Sequence, residues 1–172
     1  MKKLILTGVA YFLFLSFLHC QSWTLKTEAE VLSGSAAEPQ IRASEALFYE
    51  LNFDGFYQEL LQLEDGASIN LPTAKGAFIE LRLVENQTMA EGLKEDFPGI
   101  RTFDALPLDQ GNTWGKVEVS GNGFRAMVFS PGRSTLYIDP LFYPEPDTYI
   151  VYQHDKFVTD KSFHCHVGME EL

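Results

Sequence analysis

Trp114-Gly-Lys-Val-Glu-Val-Ser120-Gly-Asn-Gly-Phe124-Arg-Ala-Met-Val-Phe-Ser130 consists of two alternating runs joined by a three-residue break. Val117 and Val119 in the first run, and Phe124, Ala126 and Val128 in the second, recur at every second position. That is the period of a strand with one buried face. Gly121, Asn122 and Gly123 between them accept positive φ, so the stretch predicts a β-hairpin with the two apolar sets facing each other.

Working outward toward the C-terminus, Pro131-Gly132 predicts a turn, 134–139 a strand and 148–153 a last aromatic strand. The intervening 140–147 is too rich in proline for the inside of a sheet. Toward the N-terminus, 100–106 reads as a strand. Before it, Thr88 and Glu91 have capping-box spacing, predicting a short helix to Phe97 with Met89, Leu93 and Phe97 on its buried side. The run 77–85 places Ile79, Leu81 and Leu83 on one face and Glu80 and Arg82 on the other, and 68–71 is a brief strand. Asp54 is the expected N-cap of a helix carrying Phe56, Leu60 and Leu63, which Asp65-Gly66 ends; 47–51 is the first strand. Together these elements predict a mainly β, or α+β, domain: antiparallel, sandwich-like, with two short helices, spanning 46–154. At 172 residues the chain has room for one such domain.

The ends read differently. Met1-Lys2-Lys3 and the apolar run 4–18 have the charged start and short apolar core of a secretory signal peptide, assigned to 1–20. The run is short for a membrane span, so no membrane association is expected after cleavage, and the product is secreted or periplasmic. Lipidation of Cys20 is disfavoured by the bulky His19 before it. Residues 21–45 are small and polar without a sustained period and read as a flexible leader; 155–172 reads as an extended tail leaving the domain. Loss of Lys2 and Lys3 leaves 11 of the 13 basic residues against 24 acidic ones, a formal charge of −13 (11 − 24). Nucleic acid is a poor partner for such a surface.

The chain contains no HExxH, GxSxG, P-loop or paired CxxC motif, so it is not expected to be an enzyme by itself. Once the signal is removed, Cys165 is the sole cysteine and can form no internal disulfide. Its neighbours His164 and His166 suggest a metal site, but in an extended segment they point away from the thiol, which opposes joint chelation within the chain. Imidazolium character on either side would nonetheless favour the thiolate, the form that binds zinc. Its polar surroundings make burial in this chain's own core a poor expectation. Asn86-Gln87-Thr88 is a formal glycosylation sequon; Asp54, Asp65 and Asp109 beside glycines read as cap and turn residues rather than calcium ligands. Tyr137, Tyr143, Tyr149 and Tyr152 could form a stacking face for a ligand, though strand packing is the simpler reading.

Several dispersed stretches carry a family likeness. Phe78-Ile-Glu-Leu-Arg-Leu-Val-Glu85, Met89 with Phe97-Pro-Gly-Ile-Arg-Thr-Phe103, Gly123-Phe-Arg-Ala-Met-Val-Phe-Ser-Pro-Gly132, Tyr137-Ile-Asp-Pro140 and 149–152 together resemble the N-terminal prodomain of secreted bacterial reprolysin-like (adamalysin-related) zinc metalloproteases. The resemblance spans roughly 46–165. It implies a domain that assists folding of a metalloprotease catalytic domain and holds it latent. It also implies a switch cysteine near the end of the prodomain that ligates the catalytic zinc of the partner; Cys165 is the residue that matches, with His164 and His166 as weaker candidates. The surrounding Phe163-His-Cys-His-Val167 departs from the Pro-Lys-Met-Cys-Gly type of switch sequence. The zinc would belong to the catalytic domain, and the chain would have no cofactor of its own. Two other readings stand beside this one: an exported β-sandwich binding or adhesion module, and a thiol or metal sensor built on 164–166.

Overall fold

The structure is a computed structural model and describes residues 23–86, 88 and 90–159. The expected signal peptide and the candidates His164, Cys165 and His166 lie outside the described residues, as does Met89.

Nine strands form one antiparallel sheet: β1 (Thr24–Lys26), β2 (Ala46–Glu50), β3 (Ser68–Pro72), β4 (Phe78–Glu85), β5 (Arg101–Pro107), β6 (Trp114–Ser120), β7 (Gly123–Phe129), β8 (Leu136–Pro140) and β9 (Thr148–Gln153). Their order is β1-β2-β9-β8-β7-β6-β5-β4-β3, so β3 to β9 run as a meander and β2 inserts beside β9. The helices are α1 (Glu28–Gly34), α2 (Phe53–Leu61) and α3 (Glu91–Asp96), with a single 3-10 turn at His154–Lys156. The fold is thus mainly antiparallel β. Its strands belong to a single curled sheet, and it has a third helix beyond the two expected.

The hairpin forms as the alternation requires: Val117 pairs with Ala126 and Val119 with Phe124. The positive φ falls on Gly123 (126°) and not on Asn122, so Gly123 already pairs with Ser120 as the first residue of β7. From this hairpin one apolar row continues through cross-strand partners, Phe103–Val117–Ala126–Ile138–Val151–Leu47. Because side chains alternate along each strand, this in-register row puts all six on the same face. That concave face holds the main core, into which α2 inserts Phe53, Phe56 and Leu60.

The edges of the sheet approach each other. Trp23, just before β1, donates its indole N–H to the Asn70 carbonyl of β3 at 3.2 Å, and Tyr49 of β2 meets the Phe78 ring of β4 edge-on at 6.3 Å. Trp23 also packs edge-on against Tyr49, Phe56, Phe124 and Tyr149. Residues 23–43 therefore differ from the expected flexible leader. Thr27 and Glu30 form a full capping box for α1, and Val31 joins Leu141, Phe142, Ile150 and Tyr152 in a second core on the outer face of β2 and β9. No period marks this segment because it contributes single apolar side chains, Trp23, Val31 and Ile41, at irregular spacing.

Two capping expectations are corrected. Asn52, not Asp54, caps α2, accepting from the Gly55 N–H at 3.2 Å; Asp54 sits in the first turn, where its charge suits the helix dipole. Thr88 does not cap α3: its hydroxyl donates to Asn86 Oδ1 at 2.6 Å, and α3 starts after Ala90 without a side-chain cap. Leu93 and Phe97, expected on a buried side, are about half exposed, because the short α3 runs along the surface.

Candidate functional site

The outer face of β5 to β8 forms a groove of about 480 Å³. Strand pairing builds its floor in two rows. One runs Lys116–Met127–Tyr137, continued beyond the groove by Asp104 and Tyr152, the other Thr102–Glu118–Arg125. Lys116 is ion-paired with Asp104, and this holds the Asp104 carboxyl below the ordinary range. Asn86 rims the groove, donating to Asp104 Oδ1 at 3.3 Å and accepting from the Thr102 hydroxyl at 2.7 Å.

Asp139 on β8 is the least solvated carboxylate in this groove, with 14% of its side chain exposed. Tyr152 donates its hydroxyl to Asp139 Oδ2 at 3.1 Å, and Arg125 Nε lies 3.7 Å from Oδ1. Burial nevertheless dominates and raises the Asp139 pKa above that of a free carboxyl; the Tyr152 hydrogen bond and the Arg125 charge oppose it. Burial, with the neighbouring Asp139, raises Tyr152 in turn. The groove thus presents hydrogen-bonding and charged groups of both signs around Met127 and Tyr137. Such groups can accept and donate hydrogen bonds to a bound molecule, and Thr88 and Thr102 add two hydroxyls to the lining.

The sequence candidates are distributed as follows. Tyr137 and Tyr152 stack at 5.5 Å on the outer face, whereas Tyr149 lies in the main core, its hydroxyl accepting from the Phe124 N–H at 3.3 Å, and Tyr143 is exposed in the 141–147 loop. The four tyrosines do not make one face. Asp65 lies in the turn after α2 and reaches across to accept from the Glu85 N–H of β4, while Asp109 accepts from the Gly111 N–H two residues on, as a turn residue does. Asn86 of the sequon is tied to Asp104, Thr102 and Thr88. Among the described residues no group of three or more His, Cys, Asp or Glu is placed to hold a metal. Arg125 and Asp139 are not singled out by any motif in the sequence. Their signal was a charge set among apolar and aromatic neighbours in strands 123–129 and 136–140.

The fold is a mainly antiparallel β domain with a groove on its outer face. Compared with family models, curated proteins and solved structures, the chain matches none. No helix among the described residues is long and apolar enough to cross a membrane.

Proposed function

We propose that this chain is the prodomain region of a secreted zinc metalloprotease, assisting its folding and holding it latent, with the Cys165 thiolate capping the catalytic zinc. The reading rests on the dispersed resemblance over 46–165. The observation that supports it physically is how closely in sequence the chain before Cys165 is held to the domain. Phe157 bridges Ala43, and Val158 donates its N–H to the Arg42 carbonyl at 2.9 Å. Cys165 follows Val158 by seven residues, so the thiol is confined to within about 25 Å of a firmly held point. A short leash of this kind gives an effective concentration of roughly millimolar for a zinc held against the domain. A catalytic zinc keeps one position open for water, and a thiolate in that position displaces the nucleophile.

The test is to express 21–172, add the cognate catalytic domain and measure peptidase activity. Inhibition by the wild type that is lost in Cys165→Ser is the expected result. Activity untouched by both forms overturns latency; equal inhibition by both overturns only the role of the thiol. The groove on β5 to β8 favours the second reading, an exported binding or adhesion module. That reading predicts affinity for a glycan or surface protein that Arg125→Glu removes and Cys165→Ser leaves intact.

A further inference from the structure

At one end of the curled sheet, the β3–β4 turn, the β7–β8 turn and the end of β9 surround a second concavity of about 490 Å³. Its size falls within the range of small-molecule sites, which are common at the mouths of barrel-like sheets. Ile79, Val128 and Leu136 contribute an apolar floor continuous with the main core. Lys75 on one turn and Arg133 on the other stand at the rim.

The charge pattern here is unlike that of the groove on the outer face. There, Lys116 and Arg125 are each neutralised by carboxylates. At the mouth, neither Lys75 nor Arg133 has an ion pair among the described residues, and no aspartate or glutamate lines the cavity. The chain as a whole carries a formal charge of −11. Two unpaired cations at one concavity of an otherwise acidic molecule favour an anion there, and Thr73, Thr113, Ser130, Ser134 and Gln153 in the lining can donate hydrogen bonds to it. The Lys75 and Arg133 side chains gain most from a ligand that supplies the missing negative charge, and the floor gains from apolar surface.

We infer that this mouth binds a small organic anion: one carboxylate-type head held between Lys75 and Arg133, on an apolar body lying against Ile79, Val128 and Leu136. The inference is independent of the prodomain reading and of Cys165.

Octanoate is the probe, titrated calorimetrically into the full chain, with n-octanol and inorganic phosphate as the uncharged and the non-apolar controls. The expected result is saturable one-to-one binding of octanoate, stronger than that of either control. The Lys75→Glu/Arg133→Glu double variant should weaken octanoate at least about tenfold, or about 1.4 kcal/mol. Both side chains are exposed and unpaired, so its melting temperature should match the wild type. The site is overturned if the chain does not bind octanoate, or if wild type and double variant bind it alike. Phosphate binding as tightly as octanoate overturns the apolar half, and octanol binding as tightly overturns the cationic half.

Discussion

Asp139 shows how one residue's environment sets its pH behaviour. Its pKa is higher in the folded protein than in the unfolded chain, so the folded state holds the proton more tightly. The resulting stabilisation is full below the unfolded carboxyl pKa and is lost as pH rises through the folded value. Asp139→Asn keeps an acceptor for the Tyr152 hydroxyl and removes the titration. The melting temperature of the variant relative to wild type should therefore shift upward between about pH 4 and about pH 7. Thermal melts at the two pH values check this, and a difference that is constant or falls with pH contradicts it. Gly123 is the other residue whose surroundings dictate its identity. Its φ is 126°, and an added Cβ would sit 2.5 Å from Pro140 Cγ. Gly123→Ala should cost about 1–3 kcal/mol, read from the urea midpoint.

At the level of elements, α2 is held against the sheet from both ends. Asp147 accepts from the Phe53 N–H at 3.0 Å at its start. At its end Arg101 reaches from β5 to donate to the carbonyls of Leu60, Leu61 and Leu63, while pairing with Glu85 at 2.7 Å. Lys94 and Arg101 together hold the Glu85 carboxyl below its ordinary range. Arg101→Met should cost about 1.5–3 kcal/mol, and Arg101→Lys should recover only part of it, because a point charge cannot reproduce the planar fork. Chemical denaturation of the two variants measures the difference. For α1, Thr27→Ala removes the capping box and should cost about 0.5–2 kcal/mol. The Thr27-Glu-Ala-Glu30 signature is present in the sequence, but no apolar periodicity follows it to mark a helix.

For the whole molecule, the decisive feature is the closing of a nine-stranded sheet toward itself around Trp23. Trp23→Ala removes four ring contacts and the link to β3, and should cost about 3–5 kcal/mol, well above the Thr27 effect. Comparing the two variants by calorimetry tests whether 23–34 belongs to the cooperative unit. If Trp23→Ala melts like the wild type, the segment is peripheral.

The strands of the meander were legible in the sequence, and for the hairpin and β4 so was the face turned to the core, because alternation with period two is a local property; β9, buried at four successive residues 149–152, carries no such alternation. The two cysteines, Cys20 and Cys165, and the acidic charge were equally plain. The order of strands, with β2 placed beside β9, and the use of 23–43 to cover both the seam and the outer face were decided only by the tertiary structure. They depend on single apolar side chains meeting partners far away in the chain, as Trp23 meets Asn70 and Val31 joins the cluster of Leu141 and Ile150. The same holds for both concavities: Asp139 and Arg125, like Lys75 and Arg133, are unremarkable letters until strand pairing and turn placement bring them to one surface.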